Sequence, residues 1–193
     1  ETEGVHFLTK AARLLQQEHP DVRFHIASGD TTDVTDDLDK GLIDFGLLFD
    51  PIDKSRYEYL RLPFQDRYGI LMRRDSELAS KDVITPEDLW DKPLIWNRNT
   101  RDGSPLTAWL KRDLGQLHNA ATYNLLFNGS LMVKDGLGYA FSLEKVINTA
   151  DSQLCFKPLS PALNADMSIV WKKYQIFSKP AEKFLIKLQE LTG

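Results

Sequence analysis

The chain has 193 residues, 42% of them hydrophobic and 27% charged, and a formal net charge of -4. That length buries a real core, as one domain or two small lobes, and no apolar run approaches the roughly 18 residues that span a bilayer. Lys and Arg are scattered rather than massed, so no electrostatic footprint for nucleic acid lies within these residues.

The single Cys155 excludes an internal disulfide and fits a reducing compartment. It reads as a buried structural thiol rather than a redox sensor. Glu1 stands in place of an initiator Met and no signal peptide follows, as expected of an excised or processed chain.

Val5, Leu8, Ala12 and Leu15, joined by Ala11 and Leu14, recur at helical spacing until Gln17-Glu18-His19-Pro20 stops them. Val22, Phe24 and Ile26 alternate with Arg23, His25 and Ala27, predicting a strand over 22–28. Thr31 to Lys40 predicts a short acid-rich helix with Gly41 at its C-terminal cap. The nearly continuous apolar run Leu42 to Phe49 predicts a strand covered on both faces, completing a parallel βαβ unit.

Tyr59 to Leu62 and Tyr68 to Met72 predict two strands separated by Pro63 and a polar turn. Thr85-Pro86-Glu87-Asp88 carries a helix start: cap, proline at the first position, acid at the third. A strand over Pro93 to Trp96 leads through the polar loop 97–103 to Ser104-Pro105. That second start opens a helix using Leu106, Trp109, Leu110 and Leu114 and ending at Gly115.

Ala120 to Asn124, a helix through Leu131 to Asp135, and Gly138 to Phe141 form a strand-helix-strand unit. Leu154 to Leu159 and Met167 to Trp171 are strands, and Phe184, Leu185, Leu188 and Leu191 line a final helix. Repeated α/β units argue for open, doubly wound sheets. In such sheets ligands settle outside the carboxyl ends of the strands, and a cleft between two lobes suits a small molecule.

Catalytic chemistry finds little support. His6, His19, His25 and His118 have no metal-ligand spacing, and Ser28, Ser104, Ser130 and Ser142 lie in no GxSxG elbow. Gly136-Leu137-Gly138 follows a helix and precedes a strand, the reverse of a dinucleotide fingerprint, so a C-cap with a tight turn is its expected role. The acids between Asp30 and Asp39 read as a solvated helix face, not a calcium cage. Trp90, Trp109 and Trp171 read as packing, while Trp96, ending a strand before a polar loop, is a candidate site residue.

Three segments, taken in order, carry a resemblance. His19-Pro20-Asp21-Val22, the run Leu38-Asp39-Lys40-Gly41-Leu42-Ile43-Asp44-Phe45-Gly46, and Val133-Lys134-Asp135-Gly136-Leu137-Gly138-Tyr139-Ala140 together resemble the effector-binding domain of LysR-type transcriptional regulators. Ile84 to Leu89 and Ile169 to Lys173 extend the resemblance over nearly the whole chain.

The resemblance implies an α/β fold, two-lobed and like type 2 periplasmic binding proteins, each lobe a doubly wound, mostly parallel sheet. Lobe one is expected over 1–68 plus 168–193 and lobe two over 69–167. The implied function is ligand sensing: a small-molecule effector binds between the lobes and the change is passed to a DNA-binding helix-turn-helix that these residues do not include. No enzyme activity, cofactor or metal is expected, and the setting is cytoplasmic. The alternative from another class is a free-standing type 2 solute-binding protein for a transporter.

The candidate effector-binding residues are Thr2, Ser28, Asp50, Trp96, Asn97, Thr100, Arg101, Leu125 and Ser142. Thr2 falls where the family has a helix-opening Ser or Thr, and Thr100 and Arg101 on a loop position rich in Ser or Thr. Leu125 and Leu126 stand where the family often has serine. Either the ligand is less anionic, or Arg101 supplies the charge through its planar fork. Asp50 closes its strand before Pro51, where it orients a ligand or caps the next turn, whereas Asp44 reads as structural. Self-association as a dimer or tetramer is expected through the helix at 5–18 and the strand at 22–28.

Overall fold

The computed structural model describes residues 1–192. Its helices are α1 (Val5–Glu18), α2 (Thr31–Lys40), α3 (Pro105–Leu110), α4 (Leu126–Lys134) and α5 (Lys179–Thr192). Its strands are β1 (Gly46–Phe49), β2 (Tyr57–Arg73), β3 (Leu94–Asn97), β4 (Asn119–Tyr123), β5 (Tyr139–Leu143), β6 (Leu154–Pro158) and β7 (Asn164–Lys172). The chain divides into two units: unit 1 is Glu1–Thr2 with Asp66–Asn164, and unit 2 is Glu3–Gln65 with the chain from Ala165 on.

In unit 2 the sheet order is β1-β7-β2, with β1 antiparallel to β7 from Gly46↔Val170 to Phe49↔Met167. α1 buries Ala11 and Leu15 and α5 buries Phe184 and Leu188 in a shared cluster with Leu62, Met167 and Ile169. Beside that seam Lys187 pairs with Glu18 at 2.7 Å, and Lys183 Nζ lies 2.7 Å from His19 Nε2.

α2 forms where the sequence predicts it, and the local reason is its caps. The buried Asp30 carboxylate accepts from the N–H groups of Thr32 and Asp33, while Asp33 accepts from the Asp30 N–H. Gly41 ends the helix with φ +69. Asp30→Ala is expected to lower stability by about 1–2 kcal/mol in urea unfolding, since two helix-end donors lose their acceptor.

Three sequence expectations change here. Residues 22–28 are extended but, among the described residues, join no ladder. Val22 and Phe24 do turn into the core, Phe24 against Phe184 at 5.2 Å, so alternation correctly marked an inward face and could not supply a partner strand. Amides of Arg23 to Ala27 are accordingly expected to exchange with deuterium far faster than those of β1, as peptide-resolved mass spectrometry will show.

The strand expected from Leu42 begins only at Gly46, and its ladder is antiparallel, so the parallel βαβ unit is not formed. Leu42 is 69% exposed, and Phe45 leaves the sheet for an aromatic cluster with Trp171, Phe177 and Phe184. Finally, the two strands expected around Pro63 are one, the 17-residue β2, which is shared by both units. Pro63 is exposed within β2 and does not interrupt it.

Unit 1 holds a mixed sheet ordered β6-β2-β5-β3-β4. β3 runs parallel to β4 and β5, and β2 is antiparallel to β5 and β6. Ile70, Met72, Leu94, Trp96, Leu110 and Phe141 anchor its main core. The Thr85-Pro86 start gives a 3-10 turn, Pro86–Leu89, whose Asp88 carboxylate accepts from the Thr85 N–H at 2.9 Å. The Ser104-Pro105 start gives α3, which stops at Leu110 because Lys111 adopts a left-handed φ of +56; Leu114 falls in a separate turn. Cys155 is buried beside the Arg73 carbonyl, and burial pushes its thiol pKa up.

Candidate functional site

Parallel pairing brings the carboxyl ends of β3, β4 and β5 to one end of the unit 1 sheet. The register of β2 against β5, Tyr68↔Leu143 and Gly69↔Ser142, places the start of the unit 1 stretch of β2 at that end too. Asn97, the loop after it, Leu125, Ser142, Asp66 and Tyr68 therefore share one sheet end.

Asn97 closes β3. Its Oδ1 accepts from the Asn99 N–H at 2.9 Å, its Nδ2 donates to the Asn124 carbonyl at 3.4 Å, and its own carbonyl accepts from the Thr100 N–H at 2.9 Å. The Arg98 N–H donates to the Tyr123 carbonyl at 2.8 Å, so the loop is fastened to the end of β4. Thr107, buried at the start of α3, donates its hydroxyl to the Arg101 and Ser104 carbonyls at 3.2 and 3.1 Å. Within this framework the Asn99 Nδ2 is buried without a hydrogen-bond partner among the described residues, and Thr100 is half-buried.

Arg101 is exposed, and its guanidinium folds back to donate to the Arg98 carbonyl at 3.0 Å. Ser142 is buried in β5 and its hydroxyl donates to the Leu143 carbonyl at 2.9 Å. Trp96 is a core residue: it is 2% exposed, stacks on Phe141 at 4.6 Å and 17°, and donates its indole N–H to Asn119 at 2.7 Å. The apolar ring outweighed the polar loop that follows it.

Leu125 is the N-cap of α4 and offers no side-chain acceptor. A Glu1 carboxylate oxygen instead accepts from the Leu126 N–H at 2.7 Å. A helix N-terminus with unfilled donors and a favourable dipole accepts an anion. Thr2 donates its hydroxyl to the buried Asp66. It therefore does not open α1, whose N-cap is Gly4.

Asp66, Tyr68 and Tyr123 escaped the sequence reading. Asp66 sits in a stretch that reads as a polar turn, and the tyrosines read as ordinary strand residues. Burial, with the Asp66 charge, raises the Tyr68 pKa. Burial, with Tyr68 and Glu1 nearby, raises that of Tyr123. Both phenols stay protonated at neutral pH, and that of Tyr123 donates to the Phe141 carbonyl at 2.7 Å.

Two candidates belong to unit 2. Ser28 is exposed on the extended segment. Asp50 follows β1, accepts from the Ser168 hydroxyl at 3.1 Å and lies 3.8 Å from Arg61 Nε, which also reaches Asp166 through Nη2 at 2.6 Å. Of the two roles expected for Asp50, a hydrogen bond to the neighbouring β7 replaces the turn cap. Asp44 is exposed ahead of β1.

No group of three or more His, Cys, Asp or Glu among the described residues is placed to hold a metal ion. No helix among them is long and apolar enough to cross a membrane.

The fold is α/β and like that of type 2 periplasmic binding proteins, as found in effector-binding domains of transcriptional regulators. The effector-binding domain of QuiR, in complex with shikimate, superposes with a TM-score of 0.83 at 16% identity, over 99% of this chain and 92% of that one. The regulatory domain of CcmR from Synechocystis PCC6803, in complex with 2-PG, gives 0.77 at 15% identity, over 98% and 92%.

The LysR substrate binding domain family matches residues 1–192, and the chain belongs to it. It is a ligand-sensing regulatory domain, and the solute-binding alternative is not favoured. It is 25% identical over 197 residues to YvbU of Bacillus subtilis (strain 168), an uncharacterized HTH-type transcriptional regulator, and covers 65% of that protein's length.

Proposed function

We propose that this chain senses a small-molecule effector at the strand-end site of unit 1 and passes the occupied state to a DNA-binding helix-turn-helix carried elsewhere in the same polypeptide. The observation that carries this reading is the convergence of Asn99, Thr100, Leu125, the α4 N-terminus and two protonated tyrosines on one sheet end. That set supplies many donors and no group poised for covalent chemistry, which suits binding rather than turnover. The unpartnered Asn99 amide is matched to an acceptor, and the Glu1 carboxylate already accepts from an N–H of the α4 N-terminus, which supports an acceptor-bearing ligand.

Arg101 is proposed as a charge at the rim of this site, and Ser28 and Asp50, in unit 2, are kept as separate candidate contacts for an effector. Trp96 and Ser142 are assigned supporting roles behind the site, since their polar atoms are already bonded inward. Self-association is proposed through α1 and the extended segment 22–28, where Arg23, His25 and Ile26 are exposed, and the proposed setting is the cytoplasm. A ligand shifts such an assembly only by its difference in affinity between states, typically about 1–3 kcal/mol.

The test is a thermal-shift screen with small carboxylates, shikimate included, on the wild type and on Asn99→Ala and Thr100→Ala. A compound that raises the wild-type midpoint is expected to bind each variant about tenfold more weakly, the loss of one net hydrogen bond. Unchanged affinity in both variants moves the site away from this loop.

A further inference from the structure

α4 begins without an acceptor of its own. Leu125 stands at its N-cap with an apolar side chain, and no acid lies in its first turn. The positive end of a helix favours a carboxylate against its leading N–H groups. Here the carboxylate comes from 125 positions away: Glu1 Oε2 accepts from the Leu126 N–H at 2.7 Å.

The two sides of this bond are unequal. Leu126 is buried, and the helix behind it is closely packed, since a Cβ added at Gly129 would lie 2.9 Å from Tyr123 Cδ1 while the Tyr123 hydroxyl bonds the Phe141 carbonyl. Glu1 is exposed, although its neighbour Thr2 is anchored through its hydroxyl to the buried Asp66. Leaving the helix returns rotamer freedom to an exposed glutamate, whereas the helix end is held in place.

Two carboxylates, Glu1 and Asp66, thus stand at this sheet end, and the Arg101 guanidinium is turned to the Arg98 and Thr100 carbonyls. A second carboxylate reaching for the Leu126 N–H meets an occupied donor and like charge. A neutral acceptor meets only the occupied donor.

We infer that Glu1 is a specificity-determining residue of the sensing site, an intramolecular competitor that an anionic effector must displace from the α4 N-terminus. The inference rests on the sensing reading above and adds what that site discriminates. A tethered carboxylate competes at an effective concentration that a free one must match. A lone carboxylate gains at Leu126 no more than Glu1 already supplies, so the class selected is a carboxylate carrying further hydrogen-bonding groups, one of them an acceptor for the Asn99 amide.

The test is an acetate titration at constant ionic strength, read at the Leu126 amide by two-dimensional NMR, with acetamide as the neutral control. Glu1→Ala is expected to bind acetate at least about tenfold more tightly than the wild type, and acetamide less than about threefold more tightly. Glu1→Gln, which removes the charge and keeps an acceptor, should fall between for acetate and serves alone if Glu1→Ala frays α4.

Equal acetate affinity in the wild type and both variants overturns the inference, as does a Leu126 amide that acetate leaves unmoved in all three. An equal gain for acetamide overturns it too, because a merely structural loosening of α4 would admit both probes alike. Carboxylates from the thermal-shift screen separate Glu1 from the sensing site itself. A compound that weakens in Asn99→Ala and Thr100→Ala yet binds Glu1→Ala no more tightly leaves that site in place and overturns the role of Glu1. One that ignores both loop variants but tightens in Glu1→Ala supports Glu1 and moves the rest of the site off the loop.

Discussion

Gly138→Ala is expected to destabilise the chain by about 3 kcal/mol or more in urea unfolding, or to prevent its folding. Gly138 has a φ of +157, and an added Cβ would lie 2.2 Å from the Pro93 carbonyl oxygen and 2.9 Å from its carbon. Those are backbone atoms, and the Tyr139 N–H already bonds that same carbonyl at 2.9 Å. Relief would need β5 to move from β3, a core pairing of the unit 1 sheet.

The neighbouring Gly136 is the control: its φ of +86 disfavours a side chain, but nothing lies within 4 Å of an added Cβ. Gly136→Ala should cost only about 1 kcal/mol, the ordinary cost of a left-handed cap without glycine. Similar losses for both variants would mean that the close approach to Pro93 does not decide this turn.

Leu15→Ala is expected to cost about 2–5 kcal/mol in the same measurement. Leu15 is fully buried on α1 in the cluster that includes Phe184 and Leu188 of α5, and Met167 and Ile169 of β7. A helix and a strand framing the void cannot both collapse into it, which places the cost well above the transfer of a few methylene groups. Leu14→Ala, at a half-buried position on the same helix, should cost much less.

Both tests rest on features visible in the chain itself. The turn at Gly136-Leu137-Gly138 reads as a cap between helix and strand because of its order in the sequence, and α4, Gly136 and β5 follow in that order. Helix starts at Thr85-Pro86 and Ser104-Pro105, and the cap at Gly41, are equally local, since each depends on atoms within a few residues.

Strand reading succeeded where burial was two-sided, as in β3 and β5, and failed where a partner mattered. Residues 22–28 have the alternation of a strand without a ladder, and β2 runs on through the exposed Pro63. Alternation reports which side chains face the core, and hydrogen-bond pairing depends on what else lies alongside.

The candidate site divides in the same way. Polarity and the family resemblance picked out the loop positions Asn97, Thr100 and Arg101 and the cap position Leu125 as candidates. Trp96 was misjudged because sequence shows that a strand ends and not which way its ring turns; packing on Phe141 turned it inward. Asp66, Tyr68 and Tyr123 became visible only when β2, antiparallel to β5, was laid against the ends of β3 and β4.

By itself, then, the sequence determined the family, the α/β class and the capped turns, because these are written in short-range patterns and in the order of motifs along the chain. Tertiary structure alone decided which strands pair, which side chain meets the α4 N-terminus and which buried polar atom, Asn99 Nδ2, is left without a bond among the described residues. Those are contacts between residues as far apart as Glu1 and Leu126, where no local rule reaches.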